Sequence, residues 1–316
     1  MSEPESDLPP PAPADAPERE AASTFRPVAE GMEAHLNVYH PVLDHGFIAV
    51  KDYMGDDLSI LQMARMSYGK GTKGAGDDRA LLRYLMRHHH TSPFEGCVVK
   101  LHVKLPIFVM RQWVRHRTAS LNEYSARYSI LPDEFYLPGP AQLAVQSANN
   151  KQGRGETLSA EQAEAVLAVL RDDARHSFAS YHRLLNADEE GNRLDPEGQG
   201  IARELARIGL PLSTYTQMYW QTNLHNLMHF LRLRADPHAQ WEIRVYAEKI
   251  LEIMEAWVPT TFEAFRDYQL DAVRLSRMEM ALVKDMLAGR ATLEDGERYG
   301  LSKREMREFA ARFGGL

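Results

Sequence analysis

The chain of 316 residues contains a single cysteine, Cys97. No intrachain disulfide is therefore possible, and any cysteine nucleophile rests on that one thiol. Cys97 falls in the apolar alternating run Gly96 to Leu105 (GCVVKLHVKL), which favours a buried structural thiol. No apolar run approaches the roughly twenty residues that a membrane-spanning helix needs, so no membrane association is expected. The opening stretch MSEPESDLPPPAPADAPEREAAS lacks the basic start and apolar centre of a secretory signal. It is acidic and rich in Pro and Ala, and reads as the disordered tail of a cytoplasmic protein. Basic charge is also in deficit, with 37 Lys and Arg against 44 Asp and Glu and a net charge of -7. That balance disfavours diffuse polyanion binding, so no nucleic-acid partner is expected. The sequence is read as holding no GxGxxG dinucleotide fingerprint, and a Rossmann domain is not expected. No internal repeat is visible.

Against this background Arg111 to Tyr128, RQWVRHRTASLNEYSARY, stands apart. Eighteen residues hold four arginines, a histidine, two serines and one glutamate, a local balance of +3. Guanidinium groups repel one another, so gathering Arg111, Arg115, Arg117 and Arg127 around Glu123 is costly unless a bound anion compensates. Arginine forks bind phosphate bidentately, Ser125 can donate to a phosphate oxygen, and Glu123 can accept from sugar hydroxyls or imide N–H groups. The segment describes a pocket for a nucleotide monophosphate in which Ser125 and Arg127 address one anion. The alternative is a solvated basic helix end, disfavoured by the interleaved Ser, Asn, Glu and Tyr. Ser125 as a nucleophile is a further alternative, but no Ser-His-Asp arrangement or nucleophile elbow surrounds it.

The 44% hydrophobic content supports a substantial core. Phe47 to Val50 predicts a short strand, Asp57 to Met66 a helix, Gly69 to Gly76 a surface loop, Asp77 to His89 a helix, and Gly96 to Leu105 a strand. Pro106 suits the first turn of a helix whose Ile107, Met110, Trp113 and Val114 form an apolar face. The pattern breaks at Thr118 to Asn122, and Glu123 to Arg127 reads as an irregular loop beside the helix end. Ala141 to Gly155 reads as a loop, and Ser159 with Gln162 caps a long helix reaching Leu185. Pro196 opens a helix closing at Gly209 and Pro211. Thr214 to Thr222 predicts a strand, Asn223 caps the helix Leu224 to Leu233, and another helix runs from Asp236-Pro237 to Ala256. Three parts are expected: a tail over 1–30, a catalytic domain over 31–269 and a helical appendage over 270–316.

Two further clusters carry polar side chains. WQTNLHNLMHFLRLRADPHAQW brings Asn223, His225, Asn226, His229, Arg232, Arg234 and His238 together. His225 and His229 share a helix face, but no Glu or Cys beside them completes a metal site, and no metal is expected. Leu224, Leu227, Met228 and Leu231 form the packing face, with Arg234 just past the helix. His88-His89-His90 cannot converge on one ion from adjacent helix positions, whereas Ser92 and Glu95 read as loop residues suited to a ligand.

In this order the clusters resemble the flavin-dependent thymidylate synthases, whose signature is RHR, seven residues, then Ser, here Arg115-His116-Arg117 and Ser125. The likeness extends through HVKLPIFVMRQWVRHRTASLNEYSARYS, ARIGLP around Arg207 and LRADPHAQWEI around Arg234, covering Phe47 to Phe265. It implies an α/β fold of the α+β kind, a central and mainly antiparallel sheet flanked by helices. It also implies a homotetramer with active sites shared between subunits. The implied reaction methylates dUMP to dTMP, with 5,10-methylenetetrahydrofolate as carbon donor, tetrahydrofolate as product and NADPH-reduced FAD as hydride source. The resemblance assigns dUMP to Gln112, Arg115, Glu123, Tyr124, Ser125, Ala126, Arg127, Arg207 and Arg234. Arg234 is the catalytic residue, polarising the uracil imide. FAD falls to Ser92, Arg115, His116, Arg117, Glu123, Asn223, His225 and His229, with His90 near flavin and folate. Many relatives carry Asn at the His229 position.

The chemistry fits the scarcity of thiols, because reduced flavin removes the need for a Cys adding to uracil C6. No covalent nucleophile is expected at Ser125 or Cys97. A nucleotide- or RNA-binding protein stacking bases on Tyr124 and Tyr128 is the alternative from another class. A flavoenzyme acting on a different pyrimidine is a third.

Overall fold

The structure is a computed structural model that describes residues 23–67, 78–147 and 153–312. It divides into two compact units, one ending at Phe265 and one over Arg266–Leu316.

The first unit is organised around five antiparallel strands, β1 (Tyr39–Val42), β2 (Gly46–Met54), β3 (Val98–Pro106), β4 (Ser120–Glu123) and, later in the chain, β7 (Tyr215–Asn223). Their order is β1-β2-β3-β7-β4. β3 alternates, so Val99, Leu101, Val103 and Leu105 are buried on one face while Lys100, His102 and Lys104 take the other. Opposite them β7 sets Trp220 against Leu101 and Tyr219 against His102. The strand expected at Phe47 to Val50 extends through all of β2, past an irregularity between Val50 and Asp52.

Helices cover the apolar face. α5 (Ile107–Trp113), α8 (Leu224–Arg234) and α9 (Trp241–Trp257) meet over β3 and β7. Trp113 lies 4.6 Å from Phe230 and 5.4 Å from Trp220 between ring centroids, and Phe230 lies 5.3 Å from Trp220. The Tyr246 hydroxyl of α9 donates to the Lys104 carbonyl at 2.7 Å, fixing that helix to the sheet. Caps set the helix starts as the sequence signals. Asp56 accepts from Ser59 N–H ahead of α2 (Asp57–Met66), Ser159 and Gln162 form a capping box on α6 (Ala160–Leu185), and Asn223 accepts from Asn226 N–H ahead of α8. Near the start, the Arg26 guanidinium donates to the Tyr53 carbonyl at 2.8 Å and Ala29 N–H to the Tyr53 hydroxyl at 3.0 Å. Residues 1–22 of the expected tail lie outside the described residues.

Several expectations are corrected. Ala141 to Gly155 is not all loop, because β5 (Ala144–Gln146) and β6 (Arg154–Thr157) pair as a small polar ribbon. The two strands are short and mostly exposed, Ala-Val-Gln and Arg-Gly-Glu-Thr, and carry no apolar alternation to reveal them. Pro196 opens no helix. Asn186 instead donates to the Asp195 and Gly198 carbonyls, holding the segment as a turn, and only α7 (Arg203–Ala206) with a 3-10 turn over Arg207–Gly209 is helical. The helix expected from Asp236-Pro237 starts at Trp241, after a turn in which Asp236 accepts from His238 N–H. The helix α3 (Asp78–Arg87) ends before His88, and His89 adopts a left-handed φ of 56°. Ser92 to Glu95, expected as loop, forms the one-turn helix α4 and packs on α2 and α8. Val114 is exposed rather than part of the α5 apolar face. β4 begins inside the break expected at Thr118 to Asn122 and also takes in Glu123, expected in the irregular loop that follows. Residues 69–74, GKGTKG, do carry the GxGxxG spacing. They lie outside the described residues, and the elements flanking them are α2 and α3 rather than a strand and a helix.

The second unit holds α11 (Arg277–Leu287), a 3-10 segment Leu293–Tyr299 and α12 (Lys303–Arg312), with α1 (Glu30–Glu33) and α10 (Pro259–Phe265) completing the helices of the first. Leu282, Leu301 and Phe309 form its small core, and Arg312 pairs with the buried Glu279 at 2.8 Å.

Phe230 is fully buried in the aromatic cluster. Phe230→Ala is expected to lower unfolding stability by about 3–5 kcal/mol, whereas Val166→Ala on the exposed face of α6 changes it by less than about 0.5 kcal/mol. Urea unfolding followed by far-ultraviolet circular dichroism distinguishes the two.

Candidate active site

β4 lies in the middle of the arginine-rich segment. It pairs with β7 in the register Ser120 to Gln221 through Glu123 to Met218, and Tyr124 N–H continues the ladder to the Gln217 carbonyl at 2.8 Å. Four strand residues span roughly 13 Å, so the two halves of the signature emerge at opposite ends of β4. The sequence places Arg115 to Arg117 and Ser125 in one pocket, but within one chain they line two.

The first cavity, of about 270 Å³, is lined by Glu123 at the end of β4, by Tyr124, Ser125 and Ala126 after it, by Arg207, and by Ile107, Leu131, Leu210, Pro211, Leu212 and Thr216. Ala126 anchors this loop by packing with Leu131, Phe178, Tyr181 and Ala206. Glu123 accepts from the Thr216 hydroxyl at 2.9 Å through Oε1. Ser125 Oγ accepts from Arg127 N–H at 3.3 Å, which leaves its own hydrogen available to an anion. α7 clamps the loop from outside. Arg203 donates to the Tyr128 carbonyl at 2.6 Å, and Glu204 pairs with Arg127 at 3.4 Å. Arg127 therefore does not line the cavity with Ser125, because Glu204 holds its guanidinium. Arg203 and Glu204 were missed by sequence reasoning, since nothing local ties them to a loop some 75 residues earlier.

The second cavity, of about 290 Å³, is lined by Arg115, His116, Arg117 and Thr118 before β4, by Trp220 and Thr222 of β7, and by Asn226, His229, Leu233 and Arg234 of α8. Arg234, the last residue of α8 rather than one beyond it, donates through Nε to His116 Nε2 at 3.0 Å and through Nη2 to the Gln112 carbonyl at 3.3 Å. His116 must therefore be unprotonated at Nε2. Burial, then Arg234 and His229, push its pKa down from 6.5 to about 4. Burial likewise lowers His229, helped by Arg232 and His225, and lowers Arg234. Arg115 and Arg117 have no acidic partner among the described residues. Two such guanidinium groups beside amide, hydroxyl and neutral imidazole groups suit a cofactor bearing phosphate and a heterocycle, so the donor set fits FAD.

The remaining candidates lie outside both cavities. Gln112 donates to Gln240 Oε1 at 2.6 Å. The Asn223 carboxamide oxygen is occupied in capping α8, and His225 lines neither cavity. His90 stacks near Tyr84 at 5.8 Å, and Ser92 begins α4. Cys97 lines neither cavity. It is buried, donates to the Asp56 carbonyl at 3.6 Å, and burial pushes its thiol up to about 12. Among the described residues no group of three His, Cys, Asp or Glu could hold a metal, and no helix is long and apolar enough to cross a membrane.

An antiparallel α+β core carrying two arginine-lined cavities defines a nucleotide-binding enzyme built without a Rossmann domain. The family model described as "Thymidylate synthase complementing protein" matches residues 49–260. A flavin-dependent thymidylate synthase of Rickettsia prowazekii (strain Madrid E) is 56% identical over 292 residues, covering 92% of this chain and 99% of its own. That of Ruegeria pomeroyi is 56% identical over 295 residues, 93% of this chain and 94% of its own. Among solved structures, a UMP/dUMP methylase PolB from Streptomyces cacaoi bound with 5-Br UMP superposes with a TM-score of 0.62 at 34% identity, covering 73% of this chain and 98% of that one. The chain belongs to the flavin-dependent thymidylate synthase family.

The His116 ring is expected to titrate near pH 4 in histidine-resolved NMR, and Arg234→Ala should move its midpoint up toward 6.5. Because the folded-state value is depressed, this group destabilises the fold as pH falls from 6.5 to about 4 and contributes nothing above that window. Cys97 should resist a thiol-reactive dye at pH 8 until the protein is unfolded.

Proposed function

We propose that the chain methylates dUMP to dTMP, taking the one-carbon unit from 5,10-methylenetetrahydrofolate and using FAD reduced by NADPH. The observation that carries this reading is the division of the RHR and Ser signature, by β4, between two arginine-lined cavities in a chain of this family. Ser125 and Arg207 would hold the dUMP phosphate in the first cavity, with Arg127 and Tyr124 at its edge, Ala126 shaping its wall and Glu123 accepting from the nucleotide. Gln112, Arg115 and Arg234 belong to the second half of the dUMP site. A homotetramer would join the halves by setting the first cavity of one protomer beside the second cavity of another.

In the second cavity, Arg115, His116, Arg117 and His229 would contact FAD, with Glu123, Ser92, Asn223 and His225 completing its site and His90 near flavin and folate. Bound reduced flavin supplies the hydride that makes a protein thiol unnecessary. The residues of the chain orient and charge-stabilise. Neutral His116 accepts from Arg234 and fixes the guanidinium plane, leaving Nη1 to face the pyrimidine imide. As C5 becomes nucleophilic, negative charge gathers on that imide, and the fixed cation stabilises it without reorganisation. Buried, protonated Cys97 has no part in the reaction. The same reading treats residues 31–269 as the catalytic domain and 270–316 as a helical appendage, with the enzyme in the cytoplasm.

Anaerobic reduction by NADPH, followed by dUMP and methylenetetrahydrofolate, should reoxidise the flavin with stoichiometric dTMP. Flavin oxidation without dTMP would refute the assignment. The PolB structure with 5-Br UMP raises a second pyrimidine nucleotide as substrate, and UMP in place of dUMP in the same assay tests it. Arg234→Ala should retain FAD and lose turnover by at least about 100-fold. Ser125→Ala should weaken dUMP binding about tenfold and keep measurable activity.

A further inference from the structure

Gln112 occupies the last turn of α5, and its side chain ends a series of hydrogen bonds that begins in the core. Its Nε2 donates to Gln240 Oε1 at 2.6 Å, and Gln240 Nε2 donates to Glu242 Oε2 at 2.9 Å. Glu242, in the first turn of α9, is only 3% exposed. Its carboxylate also receives Arg154 Nη2 at 2.6 and 2.7 Å and the Tyr136 hydroxyl at 3.2 Å. The Arg154 ion pair compensates the buried charge.

A carboxylate accepts and cannot donate, so the polarity of the series is dictated from its buried end. Gln240 must turn its NH2 toward Glu242, which turns its carbonyl toward Gln112. Gln112 must then turn its NH2 toward Gln240, and its own carbonyl points away with one N–H to spare. A glutamine side chain otherwise presents either end at similar cost, because its amide is nearly symmetric in shape. The backbone at this point is also held, since Arg234 Nη2 donates to the Gln112 carbonyl at 3.3 Å. Side-chain polarity is thus the freedom that remains, and the series removes it. We infer that Gln240 and Glu242 are positioning residues that fix the amide polarity Gln112 presents to the substrate nucleotide. The inference rests on the assignment of Gln112 to dUMP under the proposed function.

Gln240 is exposed, and although it precedes α9 its side chain caps no helix N–H, so Gln240→Ala leaves the Arg154–Glu242 pair and the fold in place. The test is a double-substitution cycle on the FAD-loaded enzyme, comparing dUMP affinity by calorimetry for Gln112→Ala, Gln240→Ala and both together, with kcat and thermal midpoint alongside. Gln240→Ala is expected to raise the dUMP Kd about fivefold, the worth of one neutral hydrogen bond. It should leave kcat at saturating dUMP within about twofold and the thermal midpoint unchanged, and the double variant should bind no more weakly than Gln112→Ala alone. Wild-type affinity in Gln240→Ala, or strictly additive losses, would overturn the inference while leaving Gln112 in the site. Wild-type affinity in Gln112→Ala would instead remove Gln112 from the dUMP site, and the inference with it. Glu242→Gln, where it folds, should raise the Kd as well, because an amide at 242 no longer dictates polarity. An unchanged Kd there would refute the buried carboxylate as its origin.

Discussion

The contact of Phe230 with Trp113, Trp220 and His116 joins the core of this protein to its chemistry. The Phe230 ring lies 4.6 Å from Trp113, 5.3 Å from Trp220 and 4.9 Å from the His116 imidazole. Trp113 ends α5 just before the RHR run, Trp220 sits on β7, and Phe230 lies one turn before Arg234 on α8. α5 is thereby held at a fixed spacing against β7 and α8, which follow it by about a hundred residues, through buried aromatic area that is non-directional but large. The polar bonds of the site depend on that spacing. Arg234 meets His116 because α8 cannot slide against α5 without opening the cluster.

Electrostatics then act within positions that packing has set. The chain is acidic overall, yet Arg115 and Arg117 stand beside Arg234 in one cavity and Arg207 stands in the other. The structure limits the cost of such crowding by keeping His116 neutral, so that the imidazole accepts from a guanidinium instead of repelling it. Glu204 takes up Arg127, and Glu242 takes up Arg154. Carboxylates in this protein often serve to orient cations and amides.

Much of the architecture was legible from local signals. The α2 bounds, the capping box at Ser159 and Gln162, the Asn223 cap and the strand before it all follow from side-chain hydrogen bonding and apolar periodicity within a few residues. The ribbon β5–β6 and the brevity of α7 were not legible. Arg154 on β6 is held by Glu242, 88 residues away, and the segment before α7 by Asn186 turning on Asp195 and Gly198.

For the site, sequence by itself determined the stock of polar and charged groups, because the residue types of the RHR and Ser signature state their hydrogen-bonding and charge capacities directly. It also determined that no intrachain disulfide can form and that the single Cys lies in an apolar run, where the structure buries it. Only the tertiary structure decided that the signature is divided, because strand pairing with β7 depends on residues about a hundred positions later. The same is true of the tie between Gln112, Gln240 and Glu242. Hydrogen-bond polarity passes through space from a buried carboxylate, and the order of residues along the chain does not encode that path.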